Sequence, residues 1–150
     1  MRFFAFLLLA AGLFPVAVHA TVPTEQRPVA VLRALDKVTA RVEELKVPID
    51  QPLKFGTLVI TVRDCRVTPP EETPEAAAFL DVSEIKTGLT ETPVFRGWMF
   101  ASSPALSAME HPVYDLWVTG CAAFDATGKP QTPPPASPVP ANAGKPKGSL

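Results

Sequence analysis

Cysteine and histidine are scarce in this 150-residue chain, which contains two of each. A closed zinc site built only from these two residue types takes four ligands, so it would need every one of them, including His19, which the signal cleavage predicted below removes. The net charge is only −1, whereas a nucleic-acid-binding domain normally carries a basic surface. We therefore expect no cofactor, no bound metal and no nucleic-acid partner. Beyond the N-terminus there is no second long hydrophobic run, so we expect no transmembrane segment in the mature chain.

Residues 1–20 have the pattern of a cleavable export signal. Arg2 supplies a positive charge, and an apolar run over residues 3–18 leads to the small residue Ala20. That run is shorter than the ~20 residues needed to span a bilayer, and Pro15 interrupts it. We therefore predict export, cleavage after Ala20 and a periplasmic location for the mature protein.

Proline is abundant: 18 of the 150 residues are proline, which is about 12 % against a usual level of roughly 5 %. Seven prolines follow Gly128, and this stretch contains no aromatic residue. A segment with so little to bury favours an extended polyproline II conformation. The sequence thus predicts three parts: a signal peptide over 1–20, a folded domain over 21–126 and a disordered tail over 127–150. The tail is either a spacer or a Pro-Lys ligand for a partner or for the cell envelope.

Four segments of the middle region are rich in β-branched and aromatic residues, which is typical of β-strands. These segments are 58–65, 77–85, 94–100 and 114–121. Between the last two, Ser103 followed by Pro104 has the pattern of a helix start. We therefore predict one short helix over about 103–110, which Pro112 ends.

Residues 28–47 fit two structures equally well. Leu32, Leu35 and Val38 begin an apolar series at intervals of three and four residues, which predicts a helix over about 28–46. The same region is rich in β-branched residues, and Asp36-Lys37 would suit the turn of a β-hairpin. The pattern alone leaves both structures open.

The two cysteines lie at the ends of two predicted strands, and both remain after removal of the signal. In an exported chain, such a pair predicts one structural disulfide between Cys65 and Cys121. A redox-active pair would normally have the close Cys-x-x-Cys spacing, which is absent here. Closing so long a loop stabilises a domain by about 4 kcal/mol on the chain-entropy estimate. That is a large part of a total stability of roughly 5–10 kcal/mol.

Two groups of residues around the single mature histidine resemble reactive sites. Ser107, His111 and Asp115 have the residue types of a catalytic triad, and Glu110 could join His111 and Asp115 on a metal ion. Pro112 interrupts any helix that would align them, and no strained nucleophile turn is present. We therefore predict no catalytic and no metal-binding residue.

The two tryptophans, Trp98 and Trp117, fall inside predicted strands and are most simply core residues. The alternative is a pocket around Trp98, His111 and Trp117, which would make the protein a small ligand-binding protein or enzyme. An exposed pocket would favour that alternative, whereas a flat apolar patch would favour docking of a protein.

Over residues 29–121 the chain resembles the exported alphaproteobacterial family catalogued as domain of unknown function 2155. The runs that carry this resemblance are 35–42, 55–65, 69–72, 97–106 and 110–121, with 97–114 as the most specific part. The resemblance implies a compact β-rich periplasmic domain, which favours strands over 28–47, and no catalytic residues that can be transferred. It also implies a link to an accessory subunit of respiratory NADH:quinone oxidoreductase (complex I).

Together these observations predict a mainly β fold, a small antiparallel sandwich or barrel with one short helix and one disulfide. An α+β fold with a helix at 28–46 is the alternative. The predicted function is a non-catalytic periplasmic binding or assembly module, with a membrane-bound respiratory complex as its protein partner. The predicted partner contacts are Trp98, Ser102, Ser103, Glu110 and His111.

Overall fold

The computed structural model describes residues 22–131, so the predicted signal peptide and residues 132–150 of the predicted tail lie outside the described residues. The described chain folds into two antiparallel sheets. Their strands are β1 (Glu25–Gln26), β2 (Val29–Asp36), β3 (Arg41–Pro48), β4 (Leu53–Phe55), β5 (Leu58–Val67), β6 (Ala76–Glu84), β7 (Thr92–Phe100) and β8 (Tyr114–Ala122). The described residues include no helix long and apolar enough to cross a membrane.

The first sheet is built on β5, β6 and β7, which pair in chain order. Strands β1 and β4 both pair with the outer edge of β5, at its two ends. The second sheet has the order β3-β2-β8, so β8 pairs with β2 and lies at the edge of that sheet. The mainly β prediction is confirmed, and each of the four predicted strands lies within a residue or two of an observed one.

Residues 28–47 form the β2–β3 hairpin, and the helical alternative is wrong. The turn is held by Asp36, whose Oδ1 accepts hydrogen bonds from the backbone nitrogens of Val38 (2.9 Å) and Thr39 (3.2 Å). Ala40 completes the turn with a φ of 56°. A short side chain that bonds to its own turn favours the hairpin over continued helix, and pairing of β2 with strands on both sides satisfies its backbone.

The predicted helix over 103–110 is also wrong, because only a single 3-10 turn over Pro104–Ser107 forms. Ser103 precedes it but makes no side-chain capping hydrogen bond, and none of the four residues in the turn is buried. A start signal without an apolar face to bury does not sustain a helix in a small domain. The chain instead crosses from β7 to β8 as an irregular segment.

The core lies between the two sheets. Residues of alternating positions on each strand face inward, and they include Leu32, Leu45, Ile60, Leu80, Met99 and Val118. Cys65 on β5 and Cys121 on β8 belong to the same cluster, and their sulfur atoms lie 2.00 Å apart. The predicted disulfide thus joins the two sheets directly, across a sequence separation of 56 residues.

The chain remains hydrogen-bonded to the preceding residues beyond residue 126, where the sequence predicts that the domain ends. The Asp125 carboxylate accepts hydrogen bonds from the backbone of Thr127 (2.7 Å) and Lys129 (2.9 Å), which closes a turn. After the turn, Pro130 bridges Phe124 in antiparallel fashion. The described structure therefore extends at least five residues past that boundary.

This C-terminal turn covers the outer face of the second sheet. Val29, Val31 and Ala122 form a small buried cluster on that face, separate from the main core. Lys46 pairs with Val31 in the β2–β3 register and donates a hydrogen bond to the carbonyl of Pro130 at 3.5 Å. Residues 123–131 are therefore placed to shield this cluster from water.

Removal of the disulfide should lower the stability of the domain. In the double variant Cys65→Ala and Cys121→Ala the unfolded chain gains loop entropy, so the unfolding free energy should fall by about 2–5 kcal/mol. Equilibrium denaturant unfolding measures this directly. A change below about 1 kcal/mol would show that the cross-link does not hold the sheets together.

Two truncations test where the folded domain ends. A chain ending at Ala126 loses the cover over Val29 and Val31, so it should melt several degrees below a chain ending at Gln131. Exposing buried valines costs roughly 1.5–3 kcal/mol for each that becomes fully exposed, and calorimetry of both chains gives the comparison. Equal melting temperatures would place the boundary back at residue 126.

Candidate functional site

The segment over residues 101–113 leaves β7 in one sheet and enters β8 in the other, and it runs beside the free edge of β8. Within residues 22–131, β8 pairs only with β2, so the backbone on its other side has no partner strand. Two depressions adjoin β8, one beside residues 104–109 and the other beside residues 101–102 and the facing ends of β5 and β6. We call these two depressions together the β8 groove.

The first depression lies beside the start of β8 and has a volume of about 440 Å³. It is lined almost entirely by apolar side chains, namely Leu35, Pro104, Ala105, Ala108, Met109, Leu116 and Trp117, with Asp115 at the rim. The second depression, of about 450 Å³, lies beside Thr119, Gly120 and Cys121 at the end of β8. Its other wall combines residues of the first sheet and its β5–β6 loop with the start of the crossing segment, namely Val67, Thr68, Pro74, Glu75, Ala76, Ala101 and Ser102. The two depressions share no lining residue, and each borders a different end of β8.

The wall of the groove is attached to the first sheet through His111. The imidazole side chain is only 5 % exposed, and its Nε2 lies 3.3 Å from Oε1 of Glu84 at the end of β6. Its Nδ1 accepts hydrogen bonds from the backbone nitrogens of Val113 (3.2 Å) and Tyr114 (3.1 Å). These contacts assign a neutral imidazole with its proton on Nε2, pointing at the carboxylate.

The partner of this histidine is a carboxylate held in its charged form. Burial alone would raise the pKa of Glu84, but hydrogen bonds from Thr57 and Lys86, with the charge of Lys86, lower that pKa below its ordinary value. The Thr57 hydroxyl donates to Oε1 at 2.9 Å, and the Lys86 ammonium lies 3.1 Å from Oε2. The ionised carboxylate thus holds the end of the groove wall.

Two further residues, Tyr114 and Lys37, hold the same end of the wall. The ring of Tyr114 stacks on His111 with centroids 5.3 Å apart, and it meets the edge of Phe55 at 5.5 Å. Lys37, in the β2–β3 turn, donates to the carbonyl of His111 at 2.6 Å and to Asp115 at 2.9 Å. The groove wall is therefore tied to both sheets.

This arrangement does not form the reactive sites that the sequence resembles. The lone pair on Nδ1 of His111 already accepts two backbone hydrogen bonds, and Nε2 faces Glu84, so neither nitrogen is available as a general base. Asp115 is paired with Lys37 instead of with the histidine. The described residues contain no group of three or more histidine, cysteine, aspartate or glutamate side chains that could hold a metal ion.

The other predicted contact residues separate into two positions. Ser102 lines the second depression, and its backbone nitrogen and hydroxyl both donate to the Glu75 carboxylate, while Ser103 follows directly at the start of the turn. Glu110 is exposed in the wall segment next to the buried His111. His111 therefore supports the groove from inside, whereas Ser102 and Glu110 are open to solvent.

Trp98 and Trp117 lie on opposite outer faces of the sandwich. Met99 and Leu116 are buried in the core between the sheets, so side-chain alternation directs the adjacent tryptophan of each strand outward from its own sheet. His111 is buried beside Glu84 at the end of β6. The predicted pocket around Trp98, His111 and Trp117 is therefore not formed.

Trp98 belongs to a separate aromatic surface on the first sheet. Its ring meets the edge of Phe79 with centroids 5.6 Å apart. Together with Phe100, Arg66 and Val22 it borders a depression of about 310 Å³. Both tryptophans are partly exposed, so neither is the fully buried core residue that the sequence favoured.

The fold and the groove define a small disulfide-linked β-sandwich domain in which β8 is an edge strand of the second sheet. The chain belongs to the family described as uncharacterized protein conserved in bacteria (DUF2155), whose model matches residues 30–121. It is similar to the uncharacterized protein RP359 of Rickettsia prowazekii (strain Madrid E), with 31 % identity over 88 residues. That match covers 59 % of this chain and 57 % of the Rickettsia protein. No solved structure matches the chain.

The Glu84 carboxylate should make the stability of the domain depend on pH. Because its folded-state pKa lies below the ordinary 4.5, its contribution is present above about pH 4.5 and is lost as the pH falls through the lower folded-state pKa. The difference in unfolding free energy between wild type and Glu84→Gln should therefore be largest at neutral pH and shrink below pH 4.5. Denaturant unfolding across this range measures it.

Glu110→Gln is the matched control, because Glu110 is an exposed carboxylate in the same wall segment. It should change the unfolding free energy by less than about 0.5 kcal/mol. A Glu84→Gln effect that stayed constant down to pH 3 would contradict the role given to the charged carboxylate.

Proposed function

We propose that this protein is an exported, non-catalytic binding module that docks an extended segment of a protein partner in the β8 groove. The observation that carries the proposal is an unpartnered sheet edge facing an apolar wall. An edge strand offers unpaired N–H and C=O groups that pair with an incoming extended chain, while side-chain pockets beside it select the sequence.

The size and lining of the groove suit a peptide. From Asp115 to Cys121, β8 spans about 20 Å at the usual rise per residue, which accommodates about six residues of an extended chain. Trp117 lies in the more apolar depression, and tryptophan is enriched at the energetic centres of protein interfaces. Ser102 and Glu110 lie where polar residues of an interface rim are expected.

The location and the partner class rest on the sequence. The signal-like pattern of residues 1–20 and a disulfide that joins the sheets both support export to an oxidising compartment. The family resemblance supports a partner on the periplasmic side of respiratory NADH:quinone oxidoreductase. We therefore propose a membrane-bound respiratory complex as the partner, with this protein as an accessory or assembly subunit.

A ligand-binding function is the alternative, and one observation favours it. The partly exposed Phe79–Trp98 pair beside a depression of about 310 Å³ offers an aromatic surface on the first sheet. Such a surface could stack on a ring of a small ligand. It lies on the opposite side of the sandwich from the groove depression lined by Trp117, so variants separate the two functions.

Affinity purification from mildly solubilised native membranes tests the docking function. Ala105→Arg places a long charged side chain in the groove from an exposed position, so it should reduce recovery of NADH:quinone oxidoreductase subunits at least tenfold. Thr87→Arg introduces the same arginine side chain at an exposed turn outside the groove, and it should leave recovery unchanged. Both variants should retain the wild-type melting temperature.

Trp98→Ser distinguishes the alternative. The docking proposal expects its recovery of the complex to match wild type, because Trp98 lies outside the groove. If wild type recovers no subunit of the complex, the proposed partner is wrong. If Ala105→Arg binds as well as wild type while Trp98→Ser does not, the proposed site is wrong.

A further inference from the structure

We propose that the depression beside Trp98 is a second binding site, and that its ligand is an apolar ring that carries a carboxylate group. The depression lies on the outer face of the first sheet, opposite the depression that Trp117 lines, and we call it the Trp98 slot. The proposal does not rest on the docking function, because the slot shares no lining residue with the β8 groove.

A small residue between two large ones forms the floor of the slot. Arg66 on β5, Ala77 on β6 and Phe100 on β7 are register partners across the sheet. The neighbouring Ala78 and Met99 are buried in the core, so side-chain alternation directs Ala77 and Phe100 to the outer face. Because the methyl group of Ala77 fills little of the space between its larger neighbours, a hollow of about 310 Å³ remains.

Apolar side chains form two walls of the slot. Trp98 and Phe100 belong to β7, whereas Val22 and Pro23 immediately precede the segment that pairs with the outer edge of β5. The two pairs therefore approach the slot from opposite edges of the β5-β6-β7 sheet. An aromatic wall facing an aliphatic one suits a flat apolar group, and a volume of about 310 Å³ suits one ring-sized group.

The guanidinium group of Arg66 borders the slot and is held in place from one side. Its Nε donates to Oδ2 of Asp64 at 2.7 Å, and Nε2 of Gln26 donates to Oδ1 of the same carboxylate at 3.2 Å. Within residues 22–131 the two Nη groups of Arg66 donate to no protein atom, and the side chain is 45 % exposed. Two parallel N–H groups of a guanidinium bind both oxygens of a carboxylate.

The charges on this face of the sheet also favour an anion. Arg96 lies two residues before Trp98 on β7, is exposed and forms no ion pair with a described residue. Its register partner Asp81 lies 3.7 Å from Arg63 instead, and Asp64 is occupied by the hydrogen bonds just described. Arg96 therefore adds a positive charge near the slot that no described carboxylate pairs with, which attracts a negatively charged ligand.

The walls and the guanidinium together define the chemistry of the ligand. A ring without a charge would leave the Nη groups of Arg66 unused, and an inorganic anion would leave the apolar walls in contact with water. A free aryl carboxylate and the last residue of a peptide that ends in an aromatic side chain share the required chemistry. The experiment therefore uses one probe for each source.

NMR titration of the purified mature chain tests the proposal. The probes are 3-phenylpropionate, for a free ligand, and acetyl-glycylglycyl-phenylalanine with a free carboxylate, for a peptide end. At least one probe should shift the indole N–H signal of Trp98 in a saturable way and leave that of Trp117, on the opposite face, unchanged. The uncharged amide of the same probe should bind at least about tenfold more weakly, because it loses a charge-assisted hydrogen bond.

Two variants and a control separate the parts of the slot. Arg66→Gln should weaken binding of the acid at least about tenfold and change binding of the amide little. Ala77→Leu fills the floor and should abolish binding of both. Arg33→Gln is the matched control, because Arg33 is an exposed arginine on the second sheet, and it should leave binding unchanged.

The probe that binds more tightly identifies the source of the ligand. The site is wrong if neither probe binds, or if the signal of Trp117 shifts and that of Trp98 does not. Equal binding of acid and amide, or equal losses in Arg66→Gln and Arg33→Gln, would overturn the proposed carboxylate contact. These titrations contain no partner protein, so their failure leaves the docking function to stand or fall on recovery of the respiratory complex.

Discussion

The structure depends on the junction between its two sheets, where Cys65 in a central strand of the first sheet meets Cys121 in the edge strand of the second. The buried side chains around this junction hold the inner faces together, and the described residues contain no α-helix. Because β8 is tied to the first sheet by its cysteine and to β2 by hydrogen bonds, its other edge remains available. The strand that the disulfide fixes to the first sheet is therefore the strand whose edge we propose for docking.

Charged and polar groups support the groove from both sheets. His111 is buried with both ring nitrogens engaged, and its contact to Glu84 connects the crossing segment to the end of β6. The Lys37 contacts make the corresponding connection to the second sheet. A wall held from both sheets costs little entropy when a ligand binds, because the wall is already positioned.

The strands were predictable from sequence because β-branched residues and turn residues act over a few positions. The strand pattern at 58–65 and the Asp36 turn correspond closely to what forms. The outcome at residues 103–110 was not predictable in the same way. Ser103-Pro104 is a local helix-start signal, but whether the helix has a face to bury depends on the packing of the whole domain. The short strands β1 and β4 contain two and three residues, too few for any periodicity.

The candidate site could be predicted only in part. Residues 97–114 include Ser102 and the groove wall, but the β8 groove also depends on the edge position of β8, which follows from sheet order. The role of His111 depends on Glu84, which is 27 residues away in sequence, and no local pattern connects them. The alternative pocket required Trp98 and Trp117 to lie together. Their strands belong to different sheets and the two side chains point outward on opposite faces, which the sequence does not reveal.

Photo-crosslinking from the groove in living cells tests the central claim most directly. A photoreactive amino acid at position 105 should form crosslinks to a subunit of the respiratory complex, and the same group at position 87 should not. Crosslinks from position 87 or 98 but none from position 105 would contradict the account, because they would place the partner on another face of the sandwich.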